Sequence, residues 1–522
     1  MAGGLLSVLS LEAAQQPNVL LIMVDDMGYS DLGCYGSEIE TPHLDTLADA
    51  GVKYRQVRNY ARCCPSRASL LTGRYAHEVQ LGWMTAADEQ VPGYRGGASR
   101  DFPMIPELLR PAGYNTHLAG KWHVMQDAGL EPFFKTGQTH GDFPLDRGFD
   151  SYFGILRGGN RVSYDREGNR LGGGYFTPWD LVRDTTHIPV PQIPEDFFLT
   201  TALGDEVVAR ITERESDEPF FIYYAPYAPH NPVEAPEERV ARCRERYRVG
   251  YDILWRERIK RMDALGLFPD GITAADAQPF FSRAWEDLSE EEQSAWVEIA
   301  ANFAALVETV DEQVGRAVTE LKARDELDNT LILFLSDNGA TAEGGDLVRL
   351  RSNLGNAPFR DFKSTSYEGG VASPLILHWP DGLESSKGFV GGRPHITDIA
   401  PTILAATGVP YPNRWGLNPL VPLKSRSLIE DGQPATPRQP DRPLFFEHET
   451  TRAAIVGEWK LVSGGMDQPW ELYHLPSDPF ELRDRSAEQP EIVADLEAQW
   501  NQWAETHDVL PLNPGKWNER VK

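Results

Sequence analysis

Asn18-Val-Leu-Leu-Ile-Met-Val24, followed at once by Asp25-Asp26-Met27-Gly28, decides how the rest of this 522-residue chain is read. An apolar run rich in Val and Ile fits a strand buried on both faces, as in the middle of a parallel sheet. Open α/β sheets bind their ligands at the carboxyl ends of such strands, and this one ends there in two carboxylates. One Asp after a strand is a common polar cap; two in a row are less so, and hard oxygen donors suit Ca²⁺ or Mg²⁺. The phrase recurs at Thr330-Leu-Ile-Leu-Phe-Leu335, which runs into Ser336-Asp337-Asn338-Gly339. If the two strands are neighbours, Asp25, Asp26, Asp337 and Asn338 converge on one divalent cation, and three carboxylates with an amide suit Ca²⁺. Phe220-Phe-Ile-Tyr-Tyr-Ala225 is a third buried strand, and Pro226-Tyr-Ala-Pro-His230 brings His230 to the same edge. A lone histidine there is more often structural than catalytic. The expected fold class is α/β, with a large mixed, mainly parallel sheet sandwiched by helices.

Ala61-Arg-Cys-Cys-Pro-Ser-Arg-Ala-Ser-Leu-Leu-Thr-Gly-Arg74 lies between the first two of these strands. Pro65 suits a first helical position and Gly73 a stop, so Cys63 falls at a helix N-terminus. Unpaired N–H groups there, with Arg62, Arg67 and Arg74 close by, favour a thiolate. Further on, Gly113-Tyr-Asn-Thr-His-Leu-Ala-Gly-Lys-Trp-His123 fits a turn, a short strand and an exposed loop from which Lys121 and His123 project.

Lys and Arg number 50 against 78 Asp and Glu, leaving a net charge of −28. Such a surface argues against nucleic acid and anionic membrane as partners, and no apolar run reaches transmembrane length. An anionic substrate would need positive charge concentrated at the site. Four cysteines make no disulfide scaffold; with Cys63 modified, Cys34, Cys64 and Cys243 allow at most one internal bridge. Gly4-Leu-Leu-Ser-Val-Leu-Ser-Leu11 followed by Ala13-Ala14 fits the tail of a trimmed signal peptide, hence a periplasmic or secreted protein.

Two domains are expected: 17–425, an α/β unit with a charged helical insertion at about 234–293, and 426–522, an antiparallel sheet with one helix. Arg239 to Arg248 reads as a solvated helix face. Ser289-Glu-Glu-Glu292 reads as a capping box that opens a long amphipathic helix, and 410–442 as a Pro- and Gly-rich linker.

Cys63-x-Pro-Ser-Arg67 followed by Leu71-Thr-Gly-Arg74 resembles the signature of the type I sulfatases, the formylglycine-dependent enzymes of the alkaline phosphatase superfamily. Gly120-Lys-Trp-His123, Ala228-Pro-His230, the Asp25-Asp26 and Asp337-Asn338 pairs, and Lys363 ahead of Glu368-Gly-Gly370 resemble further motifs of that family, in family order. Val371-Ala-Ser-Pro374, where many relatives place an Arg and a Pro, resembles the bacterial arylsulfatase-like branch. The resemblance implies hydrolysis of sulfate esters of aryl or carbohydrate alcohols. It implies that Cys63 is oxidised to formylglycine by a formylglycine-generating or anaerobic maturase, and that Asp25, Asp26, Asp337, Asn338 and residue 63 bind Ca²⁺. It further implies that Lys121 and Lys363 hold the sulfate, that His230 contacts the ester, and that His230 or Lys363 protonates the leaving group. His123 would serve as base and Arg67 would orient the nucleophile. The alternatives are a phosphate or phosphonate ester hydrolase of the same superfamily and a non-catalytic glycan-binding protein on this scaffold.

Overall fold

A computed structural model describes residues 16–139, 141–214, 218–386, 388–435 and 442–512. The apolar stretch at 4–11, and with it the signal-peptide expectation, lies outside them, as do 436–441 of the expected linker.

Ten strands form the main sheet: β1 Asn18–Val24, β2 Val52–Arg58, β3 Asn115–Gly120, β4 Ser151–Ile155, β5 Leu181–Arg183, β6 Thr186–His187, β7 Phe220–Ala225, β8 Thr330–Ser336, β9 Ala372–His378 and β10 Phe389–Val390. They lie side by side in the order β10-β2-β9-β8-β1-β7-β3-β4-β5-β6. The five central strands from β8 to β4 run parallel, and β9 and β5 are antiparallel to their inner neighbours. Val24 pairs with Ser336, so Asp25 and Asp337 leave the sheet side by side.

Strand alternation divides β1 between two cores. Leu20, Ile22 and Val24 pack with one set of helices, and Val19, Leu21 and Met23 with another. The principal helices are α1 Pro42–Ala50, α2 Cys63–Thr72, α3 Leu199–Thr212, α4 Glu237–Tyr247, α5 Tyr251–Ala264, α6 Glu290–Ala323, α7 Asp346–Gly355, α8 Ile399–Thr407 and α9 Pro490–Thr506. α1, α3 and α6 cover the first face; α2 and α8 cover the second. Ser289 caps α6 as its sequence predicts: Glu292 N donates to Ser289 Oγ at 3.2 Å, and Ser289 N donates to Glu292 Oε2 at 2.8 Å.

The Arg-rich run differs from its expectation. It forms α4, whose arginines reach across to α6: Arg239 to Glu312 at 2.6 Å, Arg244 to Glu298 at 2.6 Å and Arg246 to Glu308 at 2.5 Å. Residues 410–435 carry two short hairpins rather than a featureless linker. Beyond them, β11 Leu444–His448, β12 Thr451–Val456, β13 Trp459–Ser463 and β14 Glu471–His474 form an antiparallel meander. Leu496, Trp500 and Trp503 of α9 pack on it. All four cysteines are buried free thiols.

Candidate active site

The carboxyl ends of the parallel strands gather the groups singled out in the sequence. β1 delivers Asp25 and Asp26, β8 delivers Asp337 and Asn338, β3 delivers Lys121 and His123, and the turn after β7 delivers His230. Two of these residues hold left-handed backbone, Asp26 at φ 65° and His123 at φ 50°. That conformation disfavours side chains and tends to be kept where a function requires it.

Each carboxylate meets a cation. Lys121 Nζ donates to Asp25 Oδ2 at 2.5 Å, Lys363 Nζ to Asp26 Oδ1 at 2.6 Å, and Arg67 Nη2 to Asp337 Oδ2 at 2.8 Å. Asn338 Nδ2 donates to Asp26 Oδ1 at 2.7 Å, which ties the ends of β1 and β8 together. With these bonds made, Asp25 Oδ1, Asp26 Oδ2 and Asn338 Oδ1 remain buried without a hydrogen-bond donor. Leaving buried oxygens unpaired is costly; ligand atoms of Asp25, Asp26 and His230 lie within 4.8 Å of one another, and hard oxygens gathered so are donors for a divalent cation. His230 adjoins them, its Nε2 3.6 Å from Asp26 Oδ2.

Cys63 opens α2 and is 2% exposed, on a cavity of about 440 Å³ that His123, His230, Lys363, Arg62 and Glu343 also line. Pro65 occupies the third helical position, not the first: α2 begins two residues earlier than expected, and the first turn tolerates proline because its N–H has no partner there anyway. The sulfurs of Cys63 and Cys64 and a ring nitrogen of His123 lie within 4.8 Å of one another. A hydrogen bond with Cys64 holds the Cys63 thiol well below its usual range; burial opposes this, and the charges of Lys121 and Lys363 reinforce it. Burial pushes the Cys64 thiol up.

Burial alone would raise Asp25, but Lys121, His230 and Arg67 outweigh it and hold its carboxyl low. Asp337 is pushed well above the carboxylate range by burial and by the Asp25 charge beside it. Burial lowers His123.

The expectation that Lys121 and His123 project from an exposed loop is corrected: they are 0% and 2% exposed. Lys121 N donates to Ala225 O, Trp122 N to Ile155 O and His123 N to Leu156 O, which draws the segment between β7 and β4. Sequence reasoning missed the pairing of Arg62 with Glu343 at 2.6 Å; the Gly-rich loop from Gly158 to Gly174 is legible as part of a specificity surface, but the closeness of Gly158 to the His123 ring is not. A larger cavity, about 830 Å³, lies between the end of α2, residues 419–426 and α9, and contains none of these groups.

Residues 17–409 match the family model described as Sulfatase. The chain is 30% identical to an uncharacterized sulfatase of Schizosaccharomyces pombe over 93% of each chain. It is also 30% identical to an arylsulfatase of Klebsiella aerogenes, over 80% of this chain and 92% of that one. Human N-acetylgalactosamine-6-sulfatase is 28% identical over 89% of this chain and 75% of its own. The solved structure of Ps i-CgsB with k-i-k-neocarrahexaose superposes with a TM-score of 0.68 at 25% identity, covering 97% of this chain and 96% of that one. The chain belongs to the sulfatase family and is a sulfuric ester hydrolase.

Proposed function

We propose that Cys63, matured to formylglycine, is the nucleophilic position, that Asp25, Asp26, Asp337 and Asn338 hold Ca²⁺ beside it, and that the substrate is the sulfate ester of a sugar or a phenol. The observation that carries this reading is the trio of buried, donor-less oxygens on Asp25, Asp26 and Asn338, next to a thiol surrounded by cationic groups. With both groups in place, the cation neutralises sulfuryl charge and the aldehyde hydrate supplies an oxygen nucleophile.

The chain's own residues do the rest. Lys121 and Lys363 each give one ammonium N–H to a carboxylate, which leaves two apiece for sulfuryl oxygens. Being fixed in advance, they stabilise developing charge without reorganising. His230 Nδ1 lies 2.6 Å from the Asn231 carbonyl, which only accepts, so that nitrogen carries a proton. Nε2 is then the atom through which a proton passes to the leaving oxygen. His123, kept neutral by burial, accepts a proton from the group at position 63. Arg67, tied to Asp337 Oδ2 and to the Lys121 carbonyl, fixes the orientation of the first turn of α2.

The names of the relatives support both substrate classes: an N-acetylgalactosamine-6-sulfatase and a complex with k-i-k-neocarrahexaose for sugars, an arylsulfatase for phenols. Maturation falls to a formylglycine-generating or anaerobic maturase, and the enzyme works in the periplasm or outside the cell. Asp26→Ala tests the cation assignment. Calorimetric Ca²⁺ binding is expected to be lost and 4-nitrophenyl sulfate turnover to fall by about 10²-fold or more; a variant that keeps both contradicts it.

A further inference from the structure

Of the four Lys and Arg residues that line the active-site cavity, two already hold a carboxylate. Arg62 binds Glu343 and Lys363 binds Asp26. Arg157 and Arg161 line the same cavity and are different. Among the described residues no carboxylate lies within ion-pair distance of either guanidinium, and the Arg157 guanidinium rests over the Phe134 ring, 5.5 Å from its centroid. Arg157 is half-buried and Arg161 exposed. In a chain with a net charge of −28, two unpaired guanidiniums at the mouth of a site for an anion stand out.

The backbone that carries them is firmly held. Leu156 N and Arg157 N donate to Asp180 Oδ2 at 3.0 and 2.6 Å, and Asn160 N donates to the Tyr227 hydroxyl at 3.1 Å. Asp180 and Asn160 are each 1% exposed. The same segment accepts the His123 N–H at Leu156 O, at 3.0 Å, so its position is fixed relative to the chemistry. A hydrogen-bonded loop thus holds two forked donors at the cavity.

We infer that Arg157 and Arg161 form a subsite for a second anionic group, a sulfate or a carboxylate, on the alcohol portion of the substrate. The inference rests on the sulfatase reading of the cavity and narrows it to sulfate esters that carry a further negative charge. Guanidinium matches both oxyanions through paired N–H donors. The second anion takes no part in bond cleavage, so it is bound equally in ground and transition states and acts on KM rather than kcat.

The test uses the matured enzyme and three aryl esters: 4-nitrophenyl sulfate carrying at position 3 a carboxymethyl, a sulfomethyl or a neutral carbamoylmethyl arm. The methylene keeps the leaving group's electronics alike, and the two charged arms separate carboxylate from sulfate-like recognition. For the wild type, KM for at least one charged arm is expected to be about tenfold or more below that for the neutral arm. That advantage should shrink from about 20 mM to about 300 mM salt, because these guanidiniums are reached by solvent. In Arg157→Gln/Arg161→Gln the ratio of KM values should approach one. Equal KM for charged and neutral arms in the wild type, or a ratio retained in the variant, overturns the subsite. A variant whose kcat drops on all three esters while the ratio persists also overturns it, because the arginines would then act through His123. A matured wild type that hydrolyses none of the three contradicts the reading of the cavity itself, and the subsite with it.

Discussion

Gly158 lies flat against the His123 imidazole: a Cβ built on it would stand 2.2 Å from Cε1 and 2.3 Å from Nε2. Carbon atoms do not approach that closely, so Gly158→Ala must move either the ring or the loop above it. Misplacing a proton-transfer group by about 1 Å costs on the order of 10²-fold in rate. The variant is expected to lose about that much kcat on 4-nitrophenyl sulfate while remaining folded; unchanged kcat would show that the loop, not the His123 ring, gives way. Gly158 also marks how far sequence alone reaches at this scale. Asp25, Asp26, Cys63, Lys121, His123, His230, Asp337 and Asn338 are legible because each sits in a short phrase soon after a strand or at a helix start; Lys363, in a loop, is legible only through the family resemblance. Gly158 is not, because the reason for it is a ring brought from thirty-five residues away by the pairing of β3 with β4.

At the scale of elements, β1 and β8 are readable because a doubly buried parallel strand has to be apolar throughout. β2 is harder to read because the alternation of Val-Lys-Tyr-Arg-Gln-Val-Arg breaks at Arg55-Gln56; it runs next to the short outer strand β10 with Lys53 and Arg55 only partly buried. The insertion is anchored in a way that no local pattern announces. Arg258 of α5 is 1% exposed and donates to Asp31 Oδ1 at 3.0 Å and to Glu38, while Arg351 of α7 takes Asp31 Oδ2 at 2.7 Å. Burial would raise the Asp31 carboxyl, but Arg351 and Arg258 outweigh it and hold it below its ordinary value near 3.8. A depressed carboxyl contributes stability above its ordinary pKa and loses that contribution as pH falls below it. The unfolding midpoint of the wild type is therefore expected to fall more steeply below about pH 4 than that of Asp31→Asn. Near pH 7 the variant should be less stable by about 3 kcal/mol, since two buried guanidiniums lose their shared partner. Parallel pH profiles would show that the Asp31 pairing does not contribute.

Across the whole molecule, the C-terminal sheet is joined to the main sheet by a buried network rather than by apolar packing alone. Lys460 of β13 reaches Glu368 Oε1 at 2.8 Å and Glu481 Oε1 at 2.7 Å, and Arg58 of β2 reaches Glu368 Oε2 at 3.0 Å. Burial would raise Glu368, yet Arg58 and Lys460 hold it down to about 2. Removing one member of such a cluster strands the others. Lys460→Met is expected to lower unfolding stability by about 3–5 kcal/mol. Adding Glu481→Gln should recover part of that loss, because one uncompensated charge disappears. An additive double variant would show that the two residues do not act as a unit.

The central claim concerns one atom, the Cys63 sulfur, and the most direct test is the mass of the peptide that carries it, isolated from the native host together with an assay of the same preparation. Conversion to formylglycine exchanges the thiol for an aldehyde oxygen and lightens the peptide by about 18 Da. The account predicts that shift, in a fraction of molecules that tracks sulfatase activity. Full activity in a preparation whose Cys63 is entirely unmodified thiol would contradict it.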